Sequence, residues 1–300
     1  MLLLLKLLWE NLREFDEKYR DRRSENFCFV QPIHLCGAVL AYYVFIKHLG
    51  PKLMENRKPF ELKYVLLVYN AAQVLINSIL LILGCFTVVY YKPYERLTCM
   101  MPVMQRTDAG MAELNFSYAY YLLKYLDFAD TVFFVLRKRY NQVSFLHVYH
   151  HIMMSVSIFV YLRYLPGGHG AVLGFLNLNV HTIMYFYYFI SALQPELKQS
   201  IWWKKHITQA QILQFLLLLL HFTRALFDAE CEYPKMAILF AVIQAVVMLM
   251  LFSDFYYKAY VRSSNKKLGT QINGKETCSK MGEHLRAMDL GGTEMKPCKF

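Results

Sequence analysis

Gln142-Val-Ser-Phe-Leu-His147-Val-Tyr-His150-His151 opens an apolar run that continues as Ile152-Met-Met-Ser-Val-Ser-Ile-Phe-Val160. Histidines at i, i+3 and i+4 share one face of a helix. The run behind them has the length and composition of a membrane span. Ionisable rings at that depth are costly to bury, so they face a protein interior and their default reading is functional. A single membrane histidine is often packing held by one hydrogen bond. Three on one face exceed that need, because packing asks for only one partner per ring.

Outward from this stretch the chain reads as an all-α, polytopic membrane protein. Of its 300 residues 56% are hydrophobic, against about 45–50% in average chains. The formal charge of +11 invites comparison with nucleic-acid binders. However, Lys and Arg flank apolar runs instead of forming one interleaved patch, so topology explains them and no nucleic-acid partner is expected. The cysteines at 28, 36, 85, 99, 231, 278 and 298 show no CxxC or regular spacing. No structural zinc, and no other metal or cofactor, is expected.

About seven spans are expected, near 27–48, 64–91, 114–136, 143–165, 170–193, 207–228 and 235–257, each close to the ~20 residues that cross about 30 Å of hydrocarbon. Pro51, Pro102, Pro166-Gly-Gly, Pro195 and Pro234 mark the connectors. Residues 1–26 join a leucine run, interrupted by Lys6, to dense charge from Glu10 to Arg23. They read as an amphipathic interfacial segment, not a signal peptide. Residues 27–260 form the seven-span domain, and the polar, Gly/Lys/Glu-rich residues 261–300 read as a disordered tail. Connectors 51–63, 137–142, 194–206 and the start of the tail are richer in Lys and Arg than 92–113, 163–169 and 224–235. The positive-inside rule puts the first set in the cytosol, although the charged N-terminal segment narrows the bias.

With that topology the polar residues collect at one depth. The third span carries Lys124, Asp127, Asp130 and Thr131 on one stripe. The second offers Asn70, Gln73 and Asn77, the sixth Thr208, Gln211 and Gln214, and the fifth Asn177, His181, Tyr185 and Tyr188. An internal ion-pair network accounts for Lys124, Asp127 and Asp130 as well as catalysis does. Interhelical hydrogen bonding accounts for most of the amides taken singly. Five spans sharing one polar level describe a chamber open to the cytosol, with an apolar compartment beyond it.

Four motifs then fall in a recognisable order: Lys124-Tyr-Leu-Asp127-Phe-Ala-Asp130-Thr131, His147-Val-Tyr-His150-His151, His181-Thr-Ile-Met184-Tyr185-Phe-Tyr-Tyr188 and Thr208-Gln-Ala-Gln211-Ile-Leu-Gln214. Together they resemble the ELO family of very-long-chain fatty-acid elongases, the membrane 3-oxoacyl-CoA synthases. The resemblance covers about residues 25–260 and departs at Asp127, where the family usually has Glu. It implies six helices ringing a narrow tunnel as two inverted three-helix units, with one helix outside. It also implies an endoplasmic-reticulum enzyme that joins a long-chain acyl-CoA to malonyl-CoA, giving 3-oxoacyl-CoA, CO2 and CoA. Membrane lipid, other enzymes of the elongation cycle and a homo-oligomer are the expected partners.

For that chemistry an imidazole can be nucleophile, general base or oxyanion donor. No serine or cysteine in the chamber has a clear activating constellation, so His150 is the expected nucleophile, with a role as base left open. His147, His151 and His181 would orient thioesters and stabilise charge, and Lys124, Asp127 and Asp130 complete the expected catalytic set. Asn177, Tyr185, Tyr188, Gln211 and Gln214 are expected to contact substrate. Arg137, Lys138, Arg139, Lys204 and Lys205 flank the mouth, where they would hold the phosphates of CoA. Cys99 and Cys231 share the non-cytosolic side and are expected to form a disulfide. Two other classes stay open. A di-iron desaturase or hydroxylase also uses HxxHH boxes, but needs about eight histidine ligands where this chain has one box. A seven-span receptor or transporter explains the span count and leaves the box unexplained.

Overall fold

The computed structural model describes residues 2–91, 96, 98–194, 196–197 and 200–262. The expected tail therefore lies outside the described residues from 263 onward, as does Pro195. The chain divides into two compact units, residues 1–249 and 250–300. The described part of the second is the end of the last helix, where Lys258 pairs with Asp254 at 2.7 Å.

Helix α1 is Leu2–Tyr19, and α2 is Pro32–Val44, prolonged by a π-helical turn, Phe45–Leu49, into α3, Gly50–Met54. There follow α4 (Lys63–Tyr91), α5 (Asp108–Leu126), α6 (Phe128–Leu136), α7 (Phe145–Tyr164), α8 (His169–Leu193), α9 (Ile201–Phe227) and α10 (Lys235–Tyr256). Among the described residues, five stretches are long and apolar enough to cross a membrane: Pro32–Met54, Lys63–Tyr91, Phe145–Tyr164, Ile201–Phe227 and Lys235–Arg262. The two other expected spans are present as α5 with α6 and as α8. Their polar stripes lower their hydropathy. Pro51 does not end the first span as expected. It lies inside the continuous helix directly after the π-helical turn, where the Gly50 N–H bonds the Phe45 carbonyl, and the helix runs on to Met54.

Within residues 1–249 the neighbours follow one another in order. Helix α5 packs on α7 and on α4, α4 on α8, and α8 on α9. Tyr149 of α7 donates to Gln244 Oε1 of α10 at 2.9 Å and brings α10 against α7. The segment α2–α3 lies outside, against α7 and α6. Leu114, Tyr121, Leu162 and Leu178 are fully buried where α5, α7 and α8 meet.

At the C-terminal end of α7, Arg163 ties the N-terminal segment down. Its Nε and Nη2 donate to Asp16 at 2.5 Å, Tyr164 donates to the same carboxylate at 2.7 Å, and Arg163 Nη1 reaches the Val30 carbonyl at 3.1 Å. The hydrogen bonds from Arg163 hold the Asp16 carboxyl below its usual range against the opposing effect of partial burial. Gly167 and Gly168 then turn the chain into α8 with φ of +96° and +54°. A Cβ at Gly167 would lie 2.5 Å from the Glu113 carboxylate, so this turn has room only for glycine.

The same end carries a disulfide between Cys99 and Cys231, with Cα atoms 5.4 Å apart. His169 packs beside it. Its Nε2 accepts the Met100 N–H at 3.3 Å, which leaves the proton on Nδ1 to be donated to His221 Nε2 at 2.8 Å. The bridge spans 132 positions, so chain entropy makes it worth on the order of 3–5 kcal/mol. Cys99→Ser should lower the thermal unfolding temperature in detergent, and reductant should then have no further effect. Non-reducing peptide mapping should return a linked pair holding both cysteines, and alkylation of both without reductant would contradict it.

Candidate active site

The expected third span is not one helix. Helical pairing lapses at Asp127: its own N–H still reaches the Leu123 carbonyl at 3.0 Å, but the Asp130 N–H bonds Asp127 O at 3.2 Å, one residue short of an α-helical step. Side chains from three helices converge on the Asp127 carboxylate at this break. Lys124 Nζ donates to Oδ2 at 2.8 Å, and Gln73 of α4 donates to Oδ1 at 3.0 Å. Tyr185 of α8 donates to Oδ1 at 3.3 Å and to Asp130 Oδ2 at 2.6 Å. Lys124 also donates to Asn177 Oδ1 at 3.0 Å, which takes a second bond from Tyr120 at 2.7 Å. Both members of the Lys124–Asp127 pair are 2% exposed.

Helix α7 delivers the histidines. Ser144 caps it, its hydroxyl accepting the His147 N–H at 3.3 Å, so the box begins in the first turn. His147 Nε2 lies 2.8 Å from Thr131 Oγ1, which is 2.8 Å from the Tyr42 hydroxyl of α2. Ring centroids are 4.4 Å apart for His147 and His151, 5.4 Å for His150 and His151, and 6.1 Å for His150 and His181 of α8. His181 Nδ1 lies 3.8 Å from Asp127 Oδ2, which joins the box to the carboxylate cluster.

Beyond His150 a narrow cleft runs between α7, α9 and α10. From α7 it is lined by His150, Met153, Met154, Ser157 and Tyr161, and from α8 by Leu173. Gln214, Phe215, Leu218 and Phe222 of α9 and Phe240, Ala241, Gln244, Ala245 and Met248 of α10 complete the wall. From His150 to Tyr161 the helix rises about 16 Å. Past the glutamines the wall is mostly hydrocarbon and aromatic ring. The arrangement sets the His150 imidazole between a dense polar cluster and an apolar slot.

The structure brings together Lys124, Asp127, Asp130, Asn177, Tyr185 and His181, and places Gln214 with His150 on the cleft. Gln211 is half-buried and points its amide at Met184 Sδ, 3.8 Å away. Tyr188 is 40% exposed with its ring 6.1 Å from that of Tyr185, so it lies at the edge of the cluster. Arg137 and Lys138 are half-buried after α6, with Lys138 Nζ on the Glu55 carbonyl at 3.1 Å. Lys204 and Lys205 do not lie in a connector as expected. Helix α9 begins at Ile201, which puts them exposed in its first turns.

Sequence reasoning placed Gln73 at the polar level of the chamber but left Tyr42, Tyr120 and Gln244 out of it. Two of these carried a signal. Tyr120 is four residues before Lys124 and so on its stripe, and Gln244 is the lone amide of an otherwise apolar helix. Among the described residues, Cys99, His169 and Cys231 alone form a group of three metal-donor side chains with ligating atoms within 4.8 Å. Two of those are joined as the disulfide.

The family described as ELO: GNS1/SUR4 matches residues 27–268. The chain belongs to the ELO family. Among curated relatives, very long chain fatty acid elongase 7 of Drosophila melanogaster is 39% identical over 272 residues, covering 90% of this chain and 82% of that protein. The rat protein of the same name is 35% identical over 249 residues, covering 82% and 87%. Human very long chain fatty acid elongase 1 is 32% identical over 273 residues, covering 90% and 97%. All four motifs of this ELO protein lie inside the matched region. The match also weighs against the desaturase and receptor readings.

In this ELO protein Lys124→Ala should destabilise strongly, because it leaves Asp127 buried without its cation, a loss of about 3–5 kcal/mol. Lys204→Ala, at an exposed position, should stay within about 0.5 kcal/mol. Thermal unfolding of the two variants in the same detergent checks the contrast, and equal losses would contradict it.

Proposed function

We propose that this ELO protein is the condensing enzyme of fatty-acid elongation, a 3-oxoacyl-CoA synthase of the endoplasmic-reticulum membrane. The observation that carries the reading is the position of His150, on the cleft wall and beside His151 and His181. The apolar slot would take the acyl chain, which puts its thioester at the imidazoles. His150 attacks the thioester carbonyl, forming an acyl-imidazole and breaking the bond to sulfur, and CoA leaves as a thiolate that takes a proton from water. Malonyl-CoA then loses CO2, and the resulting enolate carbon attacks the acyl-imidazole to give 3-oxoacyl-CoA and free imidazole. Neighbouring imidazoles supply donors to the oxyanion that forms in each attack. The product carries a 3-oxo group, so a reductase must act on it next. The Cys99–Cys231 bridge supports a compartment with an oxidising face.

Purified protein given acyl-CoA alone should release one CoA per chain and gain the acyl mass on a peptide containing His150. His150→Ala should lose both the adduct and turnover. Release of CoA only when malonyl-CoA is present would instead make His150 a base in a direct condensation.

The phosphates of CoA would meet Lys204 and Lys205 at the exposed start of α9. Neutralising both should raise KM for acyl-CoA or malonyl-CoA more than it lowers kcat, most of all at low salt, where screening is weakest. An unchanged KM at low salt rejects that role.

A further inference from the structure

We infer that Asp127 is a positioning residue for His181, fixing the tautomer in which His181 holds the proton that His150 gives up on acylation. The inference rests on the condensing function proposed above.

A carboxylate offers about four lone-pair sites. Three at Asp127 are taken: Gln73 and Tyr185 on Oδ1, at 3.0 and 3.3 Å, and Lys124 on Oδ2 at 2.8 Å. The remaining capacity of Oδ2 faces His181 Nδ1 at 3.8 Å. That nitrogen is buried and makes no hydrogen bond, and the residue is 5% exposed. A lone pair on Nδ1 would be repelled by the carboxylate, whereas an N–H there is attracted to it. The proton therefore sits on Nδ1, and Nε2, at the other corner of the ring, keeps the lone pair. In catalytic sites such contacts are often long without substrate and tighten when the complex forms.

The nearby ring on α7 is His150, 6.1 Å away between centroids, a separation that one bridging water can span for proton transfer. The proton balance of the two-step reaction needs such a group. Acylation turns the imidazole of His150 into a neutral acyl-imidazole and sheds one proton. Condensation breaks the N–acyl bond and must return one. His181 Nε2 takes the proton in the first step and gives it back in the second, and the Asp127 carboxylate stabilises the imidazolium in between. CoA departs as the thiolate and takes its own proton from water, so the overall condensation consumes one proton from solvent and needs no oxidant or reductant.

Two measurements test this. In protein labelled with nitrogen-15 histidine, His181 is assigned by subtraction of the His181→Gln spectrum. The expected pattern is a protonated Nδ1 and an unprotonated Nε2, and the reverse pattern overturns the inference. Kinetically, Asp127→Asn should lower kcat on the order of 100-fold, while KM moves by less than about threefold. In the His181→Gln background the same change should cost less than about twofold more. Full multiplication of the two effects would mean that Asp127 acts without His181. Asp127→Glu, longer by one methylene, can close the gap and should keep kcat within about threefold of the parent. A loss as large as that of Asp127→Asn overturns the inference. If Asp127→Asn does not fold, the parent spectrum and Asp127→Glu still decide. If the parent protein fails to condense acyl-CoA with malonyl-CoA, the functional reading falls, and the spectrum still reports on the tautomer.

Discussion

The buried ion pair between Lys124 and Asp127 is the constraint around which the inner helices arrange themselves. Two charges taken out of water recover that cost only if geometry and further hydrogen bonds satisfy them. Here Gln73 comes from α4, Tyr185 and Asn177 from α8, and Tyr120 from the same stripe as the lysine. Each partner fixes the rotation of its helix. A helix turned by one residue would leave a charge unsatisfied in a medium that offers no water. Generic hydrophobic packing in a bilayer cannot enforce such rotations, because lipid and side chain are equally apolar. The pair also explains the break between α5 and α6, since the carboxylate is drawn into this network where the regular ladder lapses.

The polar cluster and the apolar cleft divide the labour of the site. Under the proposed function, a substrate that combines a charged carrier with a long hydrocarbon would need both, in line, with its reacting carbonyl at the boundary. His150 lies on that boundary, with Gln214 and Gln244 on the same wall. The apolar end is bounded by Tyr161 and Phe222, and behind them the Cys99–Cys231 bridge, His169 and His221 hold the helix ends together.

Much of this was legible from residues alone, because membrane depth makes polar side chains conspicuous. The histidine box, the Lys124 stripe and the polar positions of α8 stood out against Leu, Ile and Val, and they do converge. Local pattern could not show the break at Asp127. A stripe at spacings of three and four reads as one helix, while the lapse arises from partners far away in sequence. Similarly, the exposed start of α9 carries no apolar periodicity, so its first six residues read as a connector. Tyr42 could not be found at all: an aromatic in an apolar helix looks like packing until its hydroxyl is seen 2.8 Å from Thr131.

The ties at the far end also set a timetable for synthesis. Arg163 lies 147 positions after Asp16, and Cys231 lies 132 after Cys99. Helix α1 is made before α7, and its binding site there does not exist until four spans' worth of chain has followed, on the order of 10 s of translation. Over that interval its charged face has only the membrane surface to rest on. Cys99 waits in the same way until α9 has been inserted. The closing of this molecule is thus a late event, and a chain stopped before Cys231 would carry its histidine box into the membrane with the far end still untied.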